Sequence, residues 1–110
     1  MKKVVKFGGS SLASAEQFRK AGEIIHADKG RRFVVPSAPG KRFSDDTKVT
    51  DMLYDCYQSA GNEALLEEKL SVIAARYQEI ISGLSLDISL DEEFEKIREA
   101  FACLLYTSDA

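Results

Sequence analysis

The feature that most constrains the fold is a strand, helix, strand pattern within the first 36 residues. Residues 4–7 form a short apolar strand that Gly8 and Gly9 end, and residues 33–35 form a second one. In such a βαβ unit the two strands lie parallel and the crossover is right-handed. The sequence therefore predicts an α/β fold in which the two strands are neighbours.

The segment between these strands carries helix signals. Ser14 followed by Gln17 is a capping-box pattern at the amino end. Gly30 is placed to end the segment as a C-terminal cap, and His26, on the polar face, is expected to be solvated. The apolar face consists of Phe18, Ala21, Ile24 and Ile25.

Helices dominate the rest of the chain after a loop at residues 37–46, which is rich in Pro, Gly, Ser and Asp. Gly61 is predicted to end the next helix, Asn62 to cap the one after it, and Gly83 to end that one. A last amphipathic helix is predicted from about Asp91. The predicted inward faces are Val49, Met52, Leu53, Cys56, Tyr57 and Ala60; then Leu66, Leu70, Ile73, Tyr77, Ile80 and Ile81; then Phe94, Ile97 and Phe101.

Two strands under four helices do not form a usual complete architecture. The sequence therefore predicts the front part of a larger, incomplete α/β domain: a βαβ unit with mainly parallel strands, followed by several helices.

Composition favours small-molecule chemistry. A formal net charge of -3 and a pI near 5.2 argue against nucleic-acid or anionic-membrane partners. The sequence contains no apolar run long enough to span a bilayer and no signal-peptide pattern, so a cytoplasmic location is expected. Cys56 and Cys103 lack the spacing of a zinc site or disulfide framework.

The stretch KFGGSS, which begins at Lys6, has the composition of a phosphate-binding turn. Gly8 and Gly9 can adopt positive φ and expose backbone N–H groups, while the following helix start adds a favourable dipole. Lys6 would stabilise a transferring phosphoryl group. The alternative is a tight structural turn with Ser10 and Ser11 near the helix cap.

A second loop, SAPGKR, follows the second strand at the equivalent position. Ligands in open α/β sheets bind beyond the carboxyl ends of the strands. Ser37 and Gly40 would offer a hydroxyl and backbone donors, and Lys41 or Arg42 a cation. A solvated basic turn is the alternative.

The next helix start is a third candidate site for an anion. Thr47, Lys48, Thr50 and Asp51 lie at its amino end, where free N–H groups attract negative charge. The alternative is purely structural, with Asp46 or Thr47 capping the helix.

Together KFGGSS, VVPSAPGKR and TKVTDML resemble the motifs of the aspartate kinases, which belong to the amino-acid kinase superfamily. The three motifs lie in that family's order and spacing over roughly the first hundred residues. The resemblance implies the N-terminal portion of an amino-acid kinase fold. It also implies ATP-dependent phosphorylation of the L-aspartate side-chain carboxylate to 4-phospho-L-aspartate, the first step toward lysine, threonine and methionine.

The resemblance also implies roles for individual residues. Lys6, as the catalytic cation, would bind the ATP phosphates together with Phe7, Gly8, Gly9 and Ser10. The residues that would contact aspartate are Ser37, Ala38 and Thr50. Mg²⁺ would be bound with ATP, and no metal ligand is assigned within the chain.

Some parts of the sequence depart from the family pattern. Pro36 stands where another aliphatic strand residue is usual, so the strand ends early there or the sequence is imperfect. Residues 1–102 are expected to be a truncated part of the catalytic domain, inactive by itself. Residues 103–110, CLLYTSDA, resemble translated sequencing-adapter read-through and are expected to be a non-native tail.

Two other functions remain open at this point. One is another amino-acid kinase, acting on glutamate, acetylglutamate, carbamate or a nucleotide. The other is a non-catalytic helical module that retains a phosphate loop. The full-length protein is expected to be a homo-oligomer.

Overall fold

A computed structural model describes residues 1–108 of the chain, with side chains described for residues 1–103. Within them two strands, a 3-10 turn and four helices follow one another. Their bounds are β1 Lys3–Phe7, the 3-10 turn Gly9–Leu12, α1 Ala15–His26, β2 Arg31–Pro36, α2 Val49–Gln58, α3 Glu63–Gly83 and α4 Asp91–Ser108.

The two strands pair in parallel, which confirms the predicted α/β class and strand arrangement. Phe7 lies opposite Pro36, so the carboxyl ends of both strands are side by side. Pro36 is the last residue of β2. Because a proline lacks the N–H that a strand interior requires, this terminal position is one that a sheet tolerates.

Helix α1 begins as predicted and ends earlier than predicted. The Ser14 side chain accepts a hydrogen bond from the Gln17 N–H at 3.4 Å, which confirms the cap. The helix ends at His26, which is exposed, so the prediction of Gly30 as its C-terminal cap is wrong. Gly30 instead donates its N–H to the Asp28 side chain at 2.8 Å, and this local turn leads into β2.

Helix α2 also ends before its predicted glycine. The Ser59 N–H donates to the carbonyls of Asp55 and Cys56, so the helix ends at Gln58, before Gly61 is reached. Tyr57, predicted to face inward, is 60% exposed. In α3, by contrast, the Asn62 side chain caps the helix as predicted, accepting from the Leu65 N–H at 3.1 Å.

The core lies between α2, α3 and α4 rather than against the sheet. Cys56 is fully buried there, and burial raises the pKa of its thiol, which makes it a packing residue. Tyr77 and Phe94 meet edge to face with ring centroids 6.2 Å apart. The buried cluster consists of Val49, Cys56, Leu66, Leu70, Ile73 and Phe94.

The sheet is less covered than its apolar sequence predicts. Val4 is 67% exposed and Phe33 53% exposed. Val34 and Val35 on β2 are exposed as well, although strand residues on opposite faces alternate. Neither face of β2 is therefore fully covered by the described residues.

The carboxyl-terminal part of the chain continues the last helix. The predicted boundary after Ala102 falls inside α4, which runs to Ser108. Of the predicted tail, residues 109–110 lie outside the described residues, as do the side chains from residue 104 onward. Among the described helices, none is both long and apolar enough to cross a membrane.

Candidate functional site

The turn after β1 and the loop after β2 meet directly. The Gly40 N–H donates a hydrogen bond to the Gly9 carbonyl at 2.7 Å. The strands that carry these loops end side by side, so the contact joins the two loops just beyond the sheet. The KFGGSS turn and the SAPGKR loop, which are far apart in sequence, therefore form one structural unit.

This contact explains why glycine occupies both positions. A Cβ on Gly40 would lie 2.6 Å from the Gly9 carbonyl carbon and 2.8 Å from the Ser10 nitrogen. A Cβ on Gly9 would lie 3.1 Å from the Ala38 carbonyl oxygen. Gly8 and Gly9 can adopt positive φ, but no glycine in the described residues does so. Close backbone approach, rather than a left-handed conformation, is what requires glycine here.

Gly8 differs from its two partners because its surroundings are open. Its backbone is extended, with φ -75° and ψ 173°, and a Cβ added there would meet no heavy atom within 4 Å. The Ser11 N–H donates to the Gly8 carbonyl at 3.1 Å and starts the 3-10 turn. Gly8 and Ser10 are both exposed at the sheet edge.

Lys6 lies on the more exposed face of β1. Strand residues alternate between faces, and Val5 and Phe7 are less exposed than Val4 and Lys6. Among the described residues Lys6 forms no ion pair. Its ammonium group is therefore available for an anion at this edge.

The start of α2 is attached to the second loop. The Val49 N–H donates to the Pro39 carbonyl at 3.0 Å. Ser37 and Thr50 are exposed, while Ala38 is half-buried and packs against the core cluster. This attachment brings the helix start that carries Thr50 to the loop that carries Ser37.

The predicted side-chain cap of α2 is absent from the structure of this helix. Lys48 occupies the N-cap position and makes no side-chain cap hydrogen bond, so the prediction of Asp46 or Thr47 in that role is wrong. The first N–H of the helix is bonded to the loop carbonyl instead. Thr47 and Asp51 line an open cleft between α2 and α3, together with Tyr54 and Lys69.

Arg42 is bound within its own loop. Its Nε donates to Asp46 Oδ2 at 2.7 Å and its Nη2 to Asp46 Oδ1 at 3.1 Å. Its Nη1 also contacts Glu79 at 3.2 Å. Because these carboxylates already occupy the guanidinium, Lys41, which is exposed, is the better candidate for a free loop cation.

The Asp46 carboxylate has a strongly depressed pKa. The main cause is the side-chain hydrogen bond from Arg42, and backbone N–H groups of Arg42 and Thr47 add to it. A depressed pKa stabilises the fold above the unfolded-state value of about 3.9, and this stabilisation is lost as the pH falls below that value.

We expect Asp46→Asn to destabilise the full-length protein at pH 7 by about 1 kcal/mol. The difference between parent and variant should shrink as the pH is lowered from 5 to 3, because the unfolded parent chain takes up a proton at Asp46 near its ordinary pKa of about 3.9, whereas the folded protein keeps this carboxylate ionised. Urea unfolding midpoints across this range measure it. A difference that stays constant down to pH 3 would contradict the assignment.

One buried residue at this junction escaped sequence analysis. Arg76 of α3 is only 3% exposed, and its guanidinium donates to the carbonyls of Ala13, Gly40 and Thr47. The available signal was an arginine three residues after Ile73 on an otherwise apolar helix face. Burial lowers the pKa of this guanidinium, while nearby Asp46 opposes the change.

No group of three or more His, Cys, Asp or Glu side chains placed to hold a metal ion occurs in the part of the chain that the structure describes.

Several aspartokinases are similar to the chain. Aspartokinase 3 of Bacillus subtilis is 44% identical over 103 residues, covering 94% of this chain and 22% of its own length. The aspartokinase of Chlamydia trachomatis is 33% identical, covering 90% and 22% respectively. A crystal structure of the aspartate kinase of Clostridium acetobutylicum superposes with a TM-score of 0.83 and 42% identity, covering 92% of this chain and 24% of that one.

The chain spans about a fifth of the length of the curated relatives it matches. No protein-family model matches it. Sequence identity and fold nevertheless agree over nine-tenths of the chain, which has the parallel strands and helices expected for an incomplete amino-acid kinase domain. The chain therefore belongs to the aspartokinases, as a segment of such an enzyme.

Proposed function

We propose that the protein carrying this segment phosphorylates the side-chain carboxylate of L-aspartate with ATP, and that the segment supplies part of both substrate sites. The observation that carries the proposal is the hydrogen bond from the Gly40 N–H to the Gly9 carbonyl. It joins the turn proposed for ATP to the loop proposed for aspartate. Similarity to aspartokinases gives the reaction class.

In this proposal the turn after β1 binds the ATP phosphates. Phe7, Gly8, Gly9 and Ser10 would provide backbone and side-chain contacts at the end of the strand. Lys6 would neutralise charge that develops on the transferring phosphoryl group, since its ammonium is exposed and without an ion pair among the described residues. Phosphoryl transfer needs such charge neutralisation and alignment more than covalent help.

The second loop and the start of α2 would bind aspartate. Ser37 and Thr50 are exposed residues that carry hydroxyl groups, and the Ala38 carbonyl oxygen lies close to Gly9. The free N–H groups at the start of a helix favour an anionic ligand. A carboxylate held here would lie next to phosphates held at the first turn.

ATP fits the exposed edge that this segment offers. The open space beside Gly8 allows a phosphate to approach the backbone, and Lys6 supplies positive charge on the same strand. Mg²⁺ would arrive bound to the nucleotide phosphates, where it neutralises their charge. No described residue is assigned to the metal ion.

Gly8→Ala tests the phosphate turn separately from the fold. Alanine is compatible with the extended backbone at this position and meets no neighbouring atom, so stability should change by less than about 0.5 kcal/mol. A methyl group would nevertheless stand in the path of a phosphate. We expect the KM for ATP of the full-length protein to rise about tenfold, a loss of about 1.4 kcal/mol of binding.

The matched control for this variant is Gly61→Ala, because a Cβ there also meets nothing within 4 Å and the residue lies between α2 and α3. It should leave both KM values unchanged. If Gly8→Ala and Gly61→Ala have the same kcat/KM for ATP, the turn after β1 is structural only.

The acceptor is tested separately with the full-length parent protein. If it phosphorylated glutamate faster than aspartate, the function would be that of another amino-acid kinase.

A further inference from the structure

The buried side chain of Arg76 is hydrogen-bonded to three segments at the candidate site. Its Nη1 donates to the Thr47 carbonyl at 2.7 Å. Its Nη2 donates to the Gly40 carbonyl and, at 3.4 Å, to the Ala13 carbonyl. A guanidinium is planar and its donors have fixed directions, so it sets the relative positions of the groups that it binds.

Each of these carbonyls lies in, or next to, a segment of the candidate site. Ala13 follows the 3-10 turn that begins beside Gly8, and Gly40 belongs to the loop after β2. Thr47 precedes the helix that carries Thr50. One side chain therefore contacts the residue that closes the 3-10 turn, the loop after β2 and the residue before the N-cap of α2.

The position of Arg76 excludes direct contact with substrates at the exposed edge. Only 2% of its side chain is accessible, and its Nη2 lies 3.9 Å from Asp46 Oδ2. A buried cation is costly to maintain unless its hydrogen bonds and a counter-charge offset the loss of hydration. In α3 the Arg76 guanidinium nevertheless occupies a core position, although the other buried residues of this helix are apolar.

We propose that Arg76 is a positioning residue that fixes the turn after β1, through Ala13, relative to the loop after β2. This inference rests on the proposed aspartate kinase function. Each loop would still bind its own substrate without Arg76, but the phosphoryl donor and the acceptor carboxylate would lose their alignment. A misplacement of about 1 Å at a reacting centre costs roughly a hundredfold in rate.

Arg76→Met and Arg76→Lys in the full-length protein test this role. We expect Arg76→Met to lower kcat, calculated per functional nucleotide-binding site, by about a hundredfold. The KM values for ATP and for aspartate should change less than about threefold. Arg76→Lys keeps the charge and one contact, so it should retain more of the rate. Nucleotide-binding stoichiometry corrects for any inactive fraction.

Leu66→Ala is the matched control for lost stability, because Leu66 is buried in the same helix but belongs to the core cluster instead. It should lower the melting temperature and leave kcat per binding site unchanged. If the Arg76 variants behave like Leu66→Ala, or if they raise KM and leave kcat unchanged, the positioning role is overturned. A parent enzyme without aspartate-dependent ADP release would instead contradict the proposed function.

Hydrogen exchange gives a readout that does not need activity. The Gly40 N–H is bonded to the Gly9 carbonyl, and Arg76 binds the carbonyl of the same glycine. Peptides spanning residues 37–46 should exchange faster in Arg76→Met than in the parent protein, and in Leu66→Ala they should not. Unchanged exchange in Arg76→Met would overturn the proposal even if the variant had no activity.

Discussion

Replacing Lys6 with alanine is expected to lower the kcat of the full-length aspartokinase by about a hundredfold to a thousandfold. The proposed role of the ammonium is to neutralise charge that grows as the phosphoryl group moves, so its loss acts mainly on the transition state. Because the side chain is exposed and forms no ion pair among the described residues, the fold should be unaffected. Steady-state ADP release with aspartate measures the effect.

Two further lysine variants make this result specific. Lys2→Ala removes an exposed charge near the amino end of the same strand and should leave kcat within about twofold. Lys6→Arg keeps the charge with a different shape and should recover part of the rate. A Lys6→Ala enzyme with kcat within threefold of the parent would remove Lys6 from the mechanism.

Gly40→Ala is expected to have the largest effect on the structure. Its methyl group would lie 2.6 Å and 2.8 Å from backbone atoms of Gly9 and Ser10, which cannot rotate away as a flexible side chain can. Relieving this clash breaks the hydrogen bond that joins the two loops. We expect a loss of about 1–3 kcal/mol in the free energy of unfolding, together with most of the activity.

The glycines of this chain provide a graded series for that test. Gly9→Ala, whose Cβ would have contacts of 3.1 Å, should cost less than Gly40→Ala. Gly22→Ala in the middle of α1 meets nothing within 4 Å and should stabilise by about 0.5–1 kcal/mol. Denaturant unfolding of the full-length variants gives the order. Equal stability of Gly40→Ala and Gly22→Ala would contradict the loop contact.

Local patterns predicted the elements well and their ends less well. Ser14 and Asn62 cap their helices because a side-chain oxygen can reach an N–H three residues on, whatever the rest of the fold does. The predictions that Gly30 and Gly61 end the helices before them were wrong. Hydrogen bonds within the turns that follow α1 and α2 ended these helices first.

The roles of charged residues were the least predictable. Arg42 was predicted to be a possible ligand-binding cation, but its guanidinium is paired with the Asp46 carboxylate, four residues later in the chain. Arg76 was hidden within an apolar helix pattern. Sequence periodicity reports which face a residue is on, but not which carbonyl groups the fold brings to that face.

The βαβ order and the parallel strand pair could be predicted from the sequence because they follow from short-range patterns of glycine, apolar and capping residues, and the resemblance to aspartokinases lies in three short motifs. How the segments of the site are joined could be seen only in the folded structure. Arg76 binds Gly40 and Ala13 across 36 and 63 residues of chain, and Gly40 needs its missing Cβ because another loop lies against it. Contacts between distant segments depend on the packed fold, which no local pattern encodes.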